Sequence, residues 1–134
     1  MRDFRKFDFW EDGISFSVKI NKLTSSFPIE ERFALADQLR RSASSIPSNI
    51  AEGAGRGTIA DFSHFLDVAI GSSYEAETQL IIAQRSGYIR EKETEPLIAD
   101  LQSLQRRIVA FKKSLHRKRP LCLRQKTASL KTVD

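Results

Sequence analysis

Apolar residues recur along this chain at intervals of three and four, and no segment shows the interval of two that marks a strand. Ala36, Leu39, Ala43, Ile46 and Ile50 are spaced 3-4-3-4, and Leu97, Leu101, Leu104, Ile108, Phe111 and Leu115 are spaced 4-3-4-3-4. Each series is one continuous stripe on a helix. Phe62, Phe65, Leu66, Ala69, Ile70, Ser73, Ala76, Leu80 and Ala83 make a broader face on a helix of about residues 59–85. The first segment, about residues 7–24, carries two stripes: Phe7, Trp10, Ile14 and Val18, and Phe9, Phe16, Ile20 and Leu23. Two stripes predict a helix covered on two sides. With a last helix at about residues 91–116, the pattern predicts four helices joined by short connections, so neighbours must run antiparallel. That is an all-α, up-down-up-down four-helix bundle.

Punctuation supports these boundaries. Phe27-Pro28 opens the second helix, with proline suited to a first turn and Glu30 and Glu31 favourable at the positive helix end. Pro47 removes one helical hydrogen bond inside a stripe that continues past it, which predicts a kink near Ala43–Pro47 rather than a stop. Gly53-Ala-Gly-Arg-Gly57 closes that helix, and Thr58 with Asp61 resembles a capping box for the next. The low helix propensity of Gly71-Ser72-Ser73 in mid-helix is the mark of a close approach by a neighbouring helix. Ser86-Gly87 ends the third helix.

The 134 residues suit one domain with one core, and no apolar run approaches the ~20 residues of a membrane span. The N-terminal residues contain no secretory signal pattern. The single cysteine, Cys122, excludes an internal disulfide and offers no metal-ligand spacing. A cytoplasmic protein is the simplest expectation. Charge is uneven. Residues 1–116 hold sixteen cations and sixteen anions, whereas residues 117–134 carry Arg117, Lys118, Arg119, Arg124, Lys126 and Lys131 against Asp134 alone. Those residues lack periodicity, so the expectation is a bundle over 1–116 and a basic, disordered tail over 117–134.

Three stretches are distinctive: Phe27-Pro28 with Glu31; Q-L-R-R-S-A-S-S-I-P-S-N-I-A-E-G-A-G-R from Gln38; and D-F-S-H-F-L-D-V-A-I-G-S-S-Y-E-A-E-T-Q-L from Asp61. Over about residues 5–115 they resemble the bacterial four-helix bundle proteins called 23S rRNA-intervening-sequence, or S23-type, proteins. Members of that group are similar to the accessory variability-determinant protein of diversity-generating retroelements. The resemblance implies a homopentamer of bundles arranged as a barrel. It implies no known activity.

Candidate chemistry is sparse. Arg40, Arg41, Asn49, Glu52 and Arg56 read either as a ligand or nucleic-acid surface or as a structural network. The second is the better account, with Arg41 and Glu52 meeting Glu75 and Glu77 as paired ions and Asn49 bridging, because buried charge persists only when paired. The glycine run after Ala51 lacks the Walker spacing and a preceding strand, so it reads as a turn. His64 lies three residues from Asp61 and from Asp67, but no further metal ligands are visible and the Glu-x-x-His pattern of di-iron bundles is absent. No serine or cysteine has a recognisable histidine partner, so no catalytic group, cofactor, metal or small-molecule substrate is expected. Phe9, Trp10, Phe16 and Ile20 offer more apolar surface than one side of a bundle covers and are the expected contact between copies. Lys112, Lys113, Arg117, Lys118, Arg119, Arg124 and Lys126 are the candidate RNA or DNA contacts. A non-enzymatic, self-associating scaffold is the leading expectation, and a nucleic-acid-binding accessory protein is the alternative.

Overall fold

The computed structural model describes residues 2–117, with the side chains at positions 31–33 outside the description. A single 3-10 turn, Phe4–Lys6, is capped by Asp3, whose Oδ1 accepts from the Arg5 amide at 3.1 Å, and leads into α1, Asp8–Thr24. A helical turn α2, Ile29–Glu31, passes through a π-helical stretch, Arg32–Ala36, into α3, Asp37–Ala54. Then follow α4, Ile59–Arg85, and α5, Glu91–Arg117. The described residues contain no strand. The second rod of the bundle is thus α2 and α3 joined by a wide turn, a detail that periodicity alone does not show.

Cross-helix contacts set the topology. Gly13 of α1 lies against Ile46 and Pro47, and Thr24 accepts from Arg40 Nε at 2.8 Å. Ser42 meets Gln79 and Ser45 meets Ser72 between α3 and α4. Glu77 meets Gln105, and Asp67 meets Lys112, between α4 and α5. Arg107 pairs with Asp8 and Asp12, and Lys19 with Asp100, closing α5 onto α1. In every pair one number rises as the other falls. The bundle is therefore up-down-up-down, in the cyclic order α1, α3, α4, α5.

The predicted stripes become the core. Phe16, Ile20, Leu39, Ala43, Ile46, Ile50, Leu66, Ala69, Leu80, Leu101, Leu104 and Ile108 are buried, and Phe7, Phe9, Phe62 and Phe111 form an aromatic cluster with ring centroids 5.0–6.2 Å apart. Pro47 is buried in an uninterrupted α3, and the bare face of Gly13 makes room for its ring. Thr58 caps α4 as its spacing predicts, accepting from the Asp61 amide at 3.1 Å. After α4, Tyr88 N–H bonds the Ala83 carbonyl and Gly87 N–H bonds that of Gln84, with Gly87 at φ 82°. This double bond pattern is a Schellman ending, and the left-handed residue explains the glycine.

Two expectations change. Of the Gly71-Ser72-Ser73 cluster only the serines face the neighbouring helix; Gly71 has open space in front of it, and the glycine in close helix contact is Gly53, where an added Cβ would lie 2.7 Å from Phe65 Cβ. On α1 only the Phe9, Phe16, Ile20 side is fully covered; Phe7, Trp10 and Ile14 are half-buried and Val18 is exposed.

Candidate interaction face on α3 and α4

The seam between α3 and α4 is built from small residues. Ser42 and Ala43 on one helix and Ala69, Ser72, Ser73 and Ala76 on the other are buried, which brings the two backbones near enough for short side chains to bond directly. Ser42 Oγ lies 2.7 Å from Gln79 Oε1, and the Ser45 and Ser72 hydroxyls are 2.8 Å apart. Asn49 Nδ2 donates to the Ser45 carbonyl at 2.7 Å and to its hydroxyl at 2.8 Å. These neutral bonds satisfy the seam without charge, in keeping with the requirement that buried polar groups be paired.

The expected ion network does not form. Glu52 pairs with Arg56 on its own helix at 2.7 Å, and the Arg56 guanidinium lies 4.8 Å over the Phe65 ring. Glu77 faces α5, accepting from Gln105 Nε2 at 3.3 Å. Glu75 lines a shallow groove with Arg41, and neither has an ion-pair partner among the described residues. The reason is rotational. Residues two apart on a helix point about 200° apart, so Glu75 and Glu77 cannot both meet α3. Arg41 and Glu52, eleven positions apart, are also about 16 Å apart along their own axis.

The expected contact between copies is also corrected. Phe9, Phe16 and Ile20 are 4%, 1% and 0% exposed, because they share one stripe with Gly13 and Thr24 that the chain's own helices cover. Trp10 is half-buried, edge-on to Phe4 at 5.2 Å. Exposed apolar surface lies elsewhere. Of the five large exposed hydrophobic residues described, Val68, Tyr74 and Ile82 all belong to α4. With Gly71 and Thr78 they form a solvent-facing stripe, bordered by the polar groove of Gln38, Arg41, Ser45, Glu75 and Gln79. The helical interval was present in the sequence, but the opposite face of α4 is richer in apolar residues and masked it.

Among the candidate phosphate contacts, Lys112 is paired with Asp67 at 2.5 Å, while Lys113 and Arg117 are exposed. Lys118, Arg119, Arg124 and Lys126, with the disorder expected of their segment, lie outside the described residues. His64 packs edge-on to Phe65 on the surface, and no group of three potential metal ligands occurs among the described residues. One contact was not anticipated: Ser63 Oγ and His116 Nε2 are 3.1 Å apart. Fifty-three positions of sequence separate them, so no local motif announces the pair. The amides of Asp61 and Phe62 beside Ser63 already bond Thr58. The pair ties α5 to α4 without the donors that an acyl-transfer site requires.

The model of the 23S rRNA-intervening sequence protein family matches residues 5–110. The chain belongs to that family. Among solved structures it is similar to a protein with unknown function from the S23 ribosomal protein family of Bacteroides thetaiotaomicron, with a TM-score of 0.74 and 25% identity over 78% of this chain and 98% of that one. No curated protein matches the sequence. The residues matched by the family model take in α1 to α4 and most of α5. Neither the family nor the similar structure indicates an enzymatic activity.

Proposed function

We propose that this chain is a non-enzymatic assembly module, built to associate with copies of itself in a cyclic homo-oligomer, a pentamer, with the α3–α4 face as one side of each subunit contact. The exposed stripe Val68, Gly71, Tyr74, Thr78 and Ile82 carries this reading. Clustered apolar exposure on one helix is the usual mark of an interface, whereas isolated exposed residues are not. Gly71 presents bare backbone at the centre of the stripe and permits close approach. Arg41 and Glu75 beside it, neither ion-paired among the described residues, supply opposite charges for a neighbour to meet. A ring uses two different patches on each subunit, so the contact need not be self-complementary. The number five is what the resemblance of the sequence motifs to S23-type proteins implies. The lone cysteine suits a reducing compartment, and we place the assembly in the cytoplasm.

Light scattering at micromolar concentration tests this. The expected mass is five times the 15.2 kDa of one chain, and a Tyr74→Asp, Ile82→Asp double variant should fall to one chain with its helix content intact. A parent protein of single-chain mass overturns self-association. A double variant that keeps the full mass overturns the choice of face.

A further inference from the structure

The α4 stripe is one side of the proposed subunit contact, and the same chain carries a surface that fits it. Within one copy Asp67 meets Lys112 and Glu77 meets Gln105, which fixes the heights of α4 and α5 against each other. Counting along the two antiparallel helices from these pairs sets the outer residues of α5 against those of α4. Glu95 stands level with Arg85, Arg106 with Glu75, and Lys113 with Asp67, each to within about two residues. All six are exposed, and every height joins opposite signs. Asp67 has Lys112 as a partner within the chain; the other five have no ion-pair partner among the described residues. The helix dipole accounts for cations only in the last turn, and Arg106 lies about three turns before the end of α5.

We propose that the outer crest of α5 on one copy covers the α4 stripe of the next, with Arg106 against Glu75, Glu95 against Arg85 and Lys113 against Asp67. This rests on the assembly proposed above and names the partner surface for its α4 face. The shapes agree as well as the charges. Ala99 leaves a recess level with Ile82, Ala110 lies level with the bare Gly71, and the apolar stem of Arg106 can lie across the stripe. Solvated ion pairs add little affinity each, but like charges at one height are strongly disfavoured, so these pairs select surface and register. Copies side by side in a closed ring share one height, whereas patches offset along the axis would climb into a filament. Because α5 follows α4 in the cyclic order, their outward directions differ by about 90°, near the corner of a ring of four or five copies. The outer flank of α1, where Val18 is exposed, stands diagonally opposite α4 and would lead copies away in a nearly straight line.

The test uses the full-length chain with Cys122→Ser. Copies carrying Ile82→Cys are co-expressed with copies carrying Ala99→Cys and treated with a short bis-maleimide. Covalent dimers should form in the mixture and in neither variant alone. A parent that scatters as several chains but yields no dimer in the mixture overturns the α5 crest and leaves self-association standing. Dimers from Ile82→Cys copies alone would place α4 against α4 and also overturn it. A parent of single-chain mass removes both this contact and the assembly it rests on. Charge reversal reads the register: Arg106→Glu or Glu75→Arg alone should raise the concentration needed for assembly by about tenfold, and the two together should restore it. A double variant no better than either single one refutes the pairing. These side chains are exposed, and unchanged circular dichroism confirms that each variant is folded.

Discussion

Gly53 of α3 lies tight against α4, and a single methyl group there should be costly. An added Cβ falls 2.7 Å from Phe65 Cβ, 2.9 Å from Phe62 Cδ1 and 3.3 Å from the Phe62 carbonyl oxygen. Carbon atoms rest at about 3.5–4.0 Å, so the methyl needs about another 1 Å. Phe62 has some rotamer freedom, but Phe65 Cβ is fixed to the α4 backbone, and the helices must part. Over-packing of this kind costs ~1–3 kcal/mol. Replacing a helical glycine by alanine returns at most ~1 kcal/mol, and less in the final turn where Gly53 sits. Gly53→Ala should therefore be destabilising by about 1–2 kcal/mol. Gly13→Ala provides the contrast. There the nearest atoms, Pro47 Cβ and Cδ, are 3.5 Å away, an ordinary contact, so most of the propensity gain survives. Urea unfolding followed by circular dichroism, at one protein concentration, reads both. With a slope of about 1.5 kcal/mol/M, the midpoint should fall by about 1 M for Gly53→Ala and rise by about 0.5 M for Gly13→Ala. A Gly53→Ala midpoint at or above that of the parent refutes the steric argument.

Leu104 is 1% exposed, so Leu104→Asp buries an unpaired carboxylate at a cost of several kcal/mol, and loss of the helical circular dichroism signal checks it; a folded variant would contradict the assigned core. Thr58→Ala removes the cap of α4 and should cost about 1 kcal/mol, read as a melting temperature lower by roughly 4–8 °C. Arg107→Ala breaks pairs with Asp8 and Asp12, whose side chains are 75% and 54% exposed. Such solvated pairs contribute no more than about 1 kcal/mol, so its urea midpoint should barely move, and a large drop would show that the α1–α5 contact is more tightly closed than its exposure indicates.

What this sequence determined by itself was local. The intervals of Leu39 to Ile50 and of Leu97 to Leu115, the proline at 28, the threonine at 58 and the glycine at 87 mark rods and turns, because helix period and backbone sterics act within a few residues. Short connections then left antiparallel packing as the accessible arrangement. Tertiary structure decided which of several apolar stripes would be covered. Phe9, Phe16 and Ile20 look the same in sequence whether another helix of this chain or a second copy buries them; only the cyclic order of the rods placed them inside. Charge pairing was equally non-local. Arg41, Glu52, Glu75 and Glu77 have the right signs for a network, but the 100° step per residue turns Glu77 away from Glu75, and the 1.5 Å rise per residue sets Arg41 and Glu52 far apart along α3. The same geometry brought Ser63 to His116, neutralised Lys112 with Asp67, and left Arg106, Lys113 and the Val68–Ile82 stripe facing solvent. Periodicity specifies which residues share a face, and the packing of whole helices specifies what that face meets.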